Sequence, residues 1–222
     1  MIRLLTFLAF LPFQAEAVCR QALAIGLDVS GSVDAREYRL QLDGLAAALE
    51  HPDVISALFA LPDAPVRLAV YEWSGPQAQR LIQDWVEISD AATLAKLTAR
   101  LRSTRRKLQD PSTALGTAKA YGAALLADQT QCWQRVLDIS GDGESNTGPR
   151  PQDLRPAGIT INGLVIGNTA PTEDSGLAGY FTAYVIEGVQ SFVEKAPNFE
   201  AYEQAMVRKL TRELTVLVLS RR

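Results

Sequence analysis

The chain is 222 residues long, 47 % hydrophobic and 21 % charged, with a formal net charge of −3. That composition excludes a disordered chain and is enough for one α/β domain with a sizeable core. It implies no broad electrostatic attraction to nucleic acid.

Residues 1–17 stand apart from the rest. Arg3 supplies a positive start, Leu4 to Phe13 an apolar stretch, and Ala15-Glu16-Ala17 a small-x-small cleavage site. This is the pattern of a secretory signal peptide, and the apolar run is too short for a spanning helix. The mature chain, 18–222, is then expected to be one exported domain, periplasmic or secreted. A lipid anchor on Cys19 is disfavoured, because Glu16-Ala17-Val18 lacks the Leu-small-small lead-in of such signals.

Ala22 to Leu27 reads as a buried parallel strand. Asp34 to Leu49 follows as a helix striped by Tyr38, Leu42, Leu45 and Leu49, with Asp34 and Glu37 spaced as a capping box. His51-Pro52-Asp53 interrupts it, and Val54 to Leu61 suggests a short helical turn. Val66 to Trp73 and Gln79 to Ile88 are strands joined closely enough for an antiparallel hairpin. Ser89-Asp90 opens a helix striped by Leu94, Leu97 and Leu101. The basic cluster Arg100, Arg102, Arg105, Arg106 and Lys107 is expected to be its solvated face and end.

A loop over 103–112 leads into a helix of small residues, Thr113 to Ala127. Arg135 to Ser140 is a fourth strand, followed by a Gly- and Asn-rich loop to Arg150, and Gly158 to Ile166 is a fifth. Leu177 to Ile186 reads as helical, Ser191 to Glu194 as strand-like, and Asn198 to Leu214 as a closing helix. Val216 to Leu219 finds no place in this scheme. Strands alternating with helices predict an α/β fold: a doubly wound, mostly parallel sheet with one antiparallel edge strand and helices on both faces. In such sheets the loops at the strand carboxyl ends converge, and ligands bind there.

Asp28, Ser30 and Ser32 leave the first strand together at that edge, with Gly31 allowing a tight turn. An Asp with two hydroxyls suits a hard cation such as Mg²⁺. Asp28-Val29-Ser30-Gly31-Ser32 resembles the D-x-S-x-S opening of the metal-ion-dependent adhesion site of von Willebrand factor A-type domains. Thr113, followed by Ala-Leu-Gly, resembles that family's threonine ligand, although an N-cap role is the plainer reading of the residue. Asp142, in Ser140-Gly141-Asp142-Gly143, resembles its last acidic residue, which is usually bonded to metal-bound water. The likeness runs from about Ala22 to Leu214 and is nearest to a group of bacterial exported A-type-domain proteins without an assigned function.

The resemblance implies a site for Mg²⁺ or Mn²⁺ built from Asp28, Ser30, Ser32, Thr113 and Asp142. It also implies a protein partner whose Asp or Glu carboxylate completes the coordination. One departure is the loop Gln109-Asp110-Pro111-Ser112, often glycine-rich in the family, where Asp110 brings another carboxylate that either adds a ligand or discourages an acidic partner. An EF-hand reading of Asp138 to Glu144 fails, since Pro149 stands where the bidentate Glu belongs, and Asp138 is expected to point into or beneath the sheet.

A metal-dependent hydrolase is the rival function. It lacks a base in reach, because the only histidine, His51, is placed away from the strand ends, and Ser30 and Ser32 lack a nucleophile elbow. A dinucleotide site lacks its glycine turn. A structural domain with a vestigial metal site is the third possibility.

Two cysteines in an exported chain are most simply one disulfide. Cys19 and Cys132 each precede a strand expected to neighbour the other. The offset from each cysteine to its acidic ligand, Asp28 or Asp142, is nearly the same, so the two should lie level at the opposite end of the sheet.

Overall fold

The computed structural model describes residues 19–107, 110–167 and 176–219, with side chains through Thr215. The expected signal peptide and the loop Asn168 to Asp174 lie outside the described residues. Strands β1 (Cys19–Asp28), β2 (Val66–Trp73), β3 (Gln79–Ile88), β4 (Cys132–Gly141), β5 (Thr160–Ile166) and β6 (Val193–Ala196) form one sheet in the order β3-β2-β1-β4-β5-β6. All neighbours are parallel except β2 and β3, the expected hairpin. The sheet is therefore α/β and doubly wound, as the alternation of patterns predicts.

β1 sits at its centre and is buried along its whole length. One face packs Leu23, Ile25 and Leu27 against α1 (Ala35–Leu49), α2 (Pro52–Leu58), α3 (Ala91–Ser103) and α6 (Tyr202–Leu219). The other packs Ala22, Ala24, Tyr71, Leu137 and Ile139 against α4 (Leu115–Ala127) and α5 (Gly176–Tyr180), which continues as a π-turn over Phe181–Val185. Val216 to Leu219, without a place in the sequence reading, extends α6 to Leu219. No helix among the described residues is long and apolar enough to cross a membrane.

Cys19 and Cys132 are register partners in β1 and β4, with their Cα atoms 4.4 Å apart, and they form a disulfide. Cross-linking residues 113 apart restricts the unfolded chain strongly. Replacing both cysteines by Ala should lower the free energy of unfolding by about 2–5 kcal/mol, read by urea denaturation. A loss below about 1 kcal/mol would mean that the unfolded chain gains little freedom there.

Two elements of the sequence reading need correction. The basic cluster is not simply solvated. The Arg100 Nε donates to the Ile82 carbonyl at 2.6 Å, and Arg102 grips Glu50 with both terminal nitrogens. Arg106 turns inward onto the backbone after β1, donating to the carbonyls of Val33, Val29 (2.6 Å) and Ser30 (2.9 Å). The helix ends at Ser103, so the chain beyond it is free to fold back beneath that loop. The second correction concerns β4, which runs from Cys132 rather than Arg135, because parallel pairing with β1 recruits the cysteine end.

Candidate metal centre

The site begins where β1 ends. The Asp28 Oδ1 accepts the Ser30 backbone N–H at 2.8 Å, so the loop curls around its own carboxylate. The Ser30 and Ser32 hydroxyl oxygens are 3.2 Å apart, and the Ser32 hydroxyl donates to the Asp142 Oδ1 at 2.7 Å. The first and fourth strands thus deliver a continuous chain of oxygens to the carboxyl edge of the sheet. A Cβ on Gly31 would come within 2.8 Å of the Pro111 Cβ, and the Gly31 N–H donates to the Pro111 carbonyl at 3.0 Å. Only a glycine lets the loop before α4 close over this turn.

Thr113 arrives by that loop. The N-cap of α4 is Ala114 and makes no side-chain cap bond, so Thr113 does not cap the helix. Its backbone is clamped to the loop after β4 instead. The Thr113 N–H donates to the Asn146 Oδ1 at 3.0 Å, and the Asn146 N–H returns a bond to the Thr113 carbonyl at 2.9 Å. The Ser145 hydroxyl adds contacts at 3.2 Å to the Leu115 N–H and at 3.3 Å to the Thr113 carbonyl. A Cβ placed on Gly143 would lie 4.0 Å from the Thr113 Oγ1, which sets that hydroxyl close to the backbone just after Asp142.

The electrostatics are unusual for a carboxylate. Asp28 is 1 % exposed, and its Oδ2 has no hydrogen-bond partner. Burial, then the negative charge of Asp142, push its pKa from 3.8 to about 7, although the Ser30 N–H and hydroxyl and the Asp142 backbone N–H oppose the shift. An orphaned, buried carboxylate oxygen is expensive unless something cationic meets it. The donor set is hard oxygen, two carboxylates with Ser and Thr hydroxyls, and it fits a hard divalent cation. Among the described residues no three His, Cys, Asp or Glu side chains form a cluster that could hold a metal ion, so the Ser and Thr hydroxyls would have to supply most of the donors.

Two residues invisible to motif reading hold the loop. Arg106 binds its carbonyls from below, as described above. Gln41, on the buried face of α1, donates to the Asp28 carbonyl at 2.8 Å, and its own Oε1 lies 3.0 Å from the Ser140 hydroxyl. A polar residue within an apolar helix stripe was the only available signal for Gln41.

Asp110 takes a different place from a ligand. Its Oδ1 accepts the Ser112 N–H at 2.9 Å and the Ser112 hydroxyl at 2.5 Å, which holds its pKa below the usual range. A Cβ on Gly75 would fall 1.9 Å from its Oδ2, so the carboxylate lies against the β2–β3 turn. Asp138 lies within β4 and is bound to Lys209 of α6, beneath the sheet as expected. His51 caps α2 at the far end of α1, about 22 Å of helix from the β1 loop.

A six-stranded, mostly parallel sheet wrapped by helices, with a polar loop cluster at its carboxyl edge, is a von Willebrand factor A-like fold. Solved structures agree. Proximal thread matrix protein 1 from the mussel byssus, with a zinc-occupied MIDAS motif, is similar with a TM-score of 0.63 at 15 % identity, over 90 % of this chain and 47 % of that one. The PilB minor pilin from Streptococcus sanguinis matches with a TM-score of 0.63 at 14 % identity, over 95 % and 65 %. An aerotolerance-related membrane protein from Bacteroides fragilis matches with a TM-score of 0.55 at 14 % identity, over 86 % and 98 %. The chain spans about half the length of the byssus protein it matches.

The chain belongs to the family described as "Protein of unknown function (DUF1194)", whose model matches residues 18–218. No curated protein matches it.

Proposed function

We propose that the protein is an exported, metal-dependent binding module. In this reading Asp28, Ser30, Ser32, Thr113 and Asp142 hold Mg²⁺ or Mn²⁺ at the carboxyl edge of the sheet, and a partner protein's Asp or Glu completes the coordination. The observation that carries it is the Asp28 Oδ2: buried, unpartnered, and beside hydroxyls that already reach Asp142. Residues 18–222 would act as one domain after removal of residues 1–17. The zinc-occupied MIDAS motif of the byssus protein is consistent with a divalent cation at this edge of the fold.

The chemistry follows from the donor set. The bound cation would supply an electrophilic position for an outside oxygen. Ser30, Ser32 and Thr113 would contribute oxygen without negative charge, which preserves that electrophilicity. Arg106 and Gln41 would fix the loop backbone, so that the hydroxyls need no rearrangement on binding. His51 sits at the far end of α1, away from this edge, so it gives the hydrolase reading no general base.

Immobilised protein should retain a partner in Mg²⁺ and release it in EDTA, and changing one acidic residue of the partner to its amide should abolish retention. A partner held equally well in excess EDTA would show that docking occurs elsewhere.

A further inference from the structure

Beside the proposed metal loop lies a cavity of about 390 Å³ lined by Ala35, Tyr38, Arg39, Arg102, Arg105 and Arg106. Four guanidinium groups on one cavity, in a chain of net charge −3, form a concentrated positive patch. Two of them are neutralised: Arg39 pairs with Asp43, and Arg102 with Glu50. Arg106 is held only by carbonyl oxygens, so its hydrogen bonds leave its charge uncompensated. Arg105 is exposed, and among the described residues no carboxylate pairs with it. Glu72 is near enough to feel Arg106, but its oxygens are taken by Tyr38 and by Arg80 at 2.7 Å. The nearby Asp34 and Glu37 carboxylates accept each other's backbone N–H groups in the cap of α1; they keep their negative charge but pair with neither Arg105 nor Arg106.

The cavity and the metal loop adjoin along the chain and share Arg106. Ser32 and the rim residue Ala35 are separated by at most about 10 Å of chain. Arg106 joins them physically, lining the cavity while holding the carbonyls of Val29, Ser30 and Val33. A single extended peptide presents side chains on one face about 7 Å apart. One such segment can therefore reach both places.

We propose that this arginine-lined cavity is a second acidic subsite, which takes a further carboxylate of the same partner segment whose first carboxylate completes the metal coordination. The inference rests on the metal-dependent reading and narrows its partner to an acidic peptide segment, one with two or more Asp or Glu residues close together. Arg105 and Arg106 would supply charge-assisted hydrogen bonds to the second carboxylate. The Arg106 bond to the Ser30 carbonyl would tie occupancy of the cavity to the shape of the metal loop.

The test uses full-length mature protein and two synthetic probes, hexaglutamate and a blocked single glutamate, with calorimetry in Mn²⁺ and in EDTA. Hexaglutamate should bind the Mn²⁺-loaded protein roughly tenfold more tightly than the single glutamate, an advantage that weakens with added salt. Arg105→Gln should remove that advantage and leave Mn²⁺ affinity unchanged, since it takes away a positive charge without placing a carboxylate in the cavity. Equal hexaglutamate affinity for wild type and Arg105→Gln would overturn the subsite while leaving the metal site standing. Hexaglutamate binding that Arg105→Gln weakens but EDTA does not would support the cavity as an anion site and sink the metal-dependent reading instead.

Discussion

Asp28→Asn should abolish Mn²⁺ binding and yet make the metal-free protein more stable at pH 8. In the unfolded chain an Asp titrates near 3.8, whereas burial and the neighbouring Asp142 raise the folded value to about 7. The folded state therefore holds the proton more tightly. Stability from this group is fully present below about pH 4, declines as pH rises between the two values, and is lost above the folded one. The difference is on the order of 4 kcal/mol for a fully buried carboxyl. Asn keeps an acceptor for the Ser30 N–H and removes the charge, but leaves an amide N–H unmet at the orphaned position, which costs about 1–3 kcal/mol. The net gain at pH 8 in EDTA should then be about 1–3 kcal/mol, measured by urea denaturation. Mg²⁺ at about a thousandfold excess over Kd should reverse the ranking, since only the wild type then gains about 4.1 kcal/mol. If Asp28→Asn keeps wild-type Mn²⁺ affinity, the metal assignment fails. If it is less stable than wild type in EDTA at pH 8, the carboxylate is not strained in the way its burial implies.

Lys209→Met should destabilise the fold by about 3–5 kcal/mol at pH 8. Lys209 is fully buried on α6 and donates to both Asp138 on β4 and Glu213 one turn further along the helix. Glu213 also accepts the Asn162 amide at 2.6 Å, and the Asn162 Oδ1 accepts the Phe192 N–H at 3.1 Å. Two carboxylates against one ammonium leave this cluster short of positive charge. Burial, then the charge of Glu213, already push the Asp138 pKa well above its ordinary value. Burial alone would lower the Lys209 pKa, but the two carboxylates outweigh it and raise it. Without the lysine, both acids must be protonated or remain buried and unpaired. The loss should shrink at pH 5, because the folded variant then holds protons that its unfolded chain binds more weakly. Adding Glu213→Gln, which keeps the acceptor for Asn162 and removes one charge, should recover part of the stability at pH 8. A loss below about 1 kcal/mol at pH 8 would show that water reaches the cluster.

The fold and the candidate site were legible in the sequence to different depths. Apolar runs bounded by turns gave the strands, and the stripes of α1 and α3 gave those helices, because burial on one face writes a period into the chain. Asp28, Ser30 and Ser32 were readable because alternate residues share one local turn. Their pairing with Asp142 was legible only through a family likeness, since nothing local in the chain joins residues that far apart. The disulfide was readable for a different reason: two cysteines and two similar offsets along parallel strands allow one level arrangement.

What only the tertiary structure decided is the use of charged and polar residues whose partners are distant. Arg106 reads in sequence as the solvated end of a basic helix, yet three backbone carbonyls near Ser30 claim its guanidinium. Asp110 reads as a possible ligand, yet Ser112 and the bare backbone of Gly75 give it a place of its own. Thr113 reads first as a helix cap, but Asn146 clamps its backbone, so the helix starts later and the hydroxyl faces the loop after β4. Lys209 and Glu213 look like a surface pair one helical turn apart until Asp138 meets them under the sheet. Hydrophobic periodicity is a one-chain property and survives in the sequence. Hydrogen-bond partnership across strands and loops is set by which edges the sheet order brings together, and that order is not written in any single stretch of this chain.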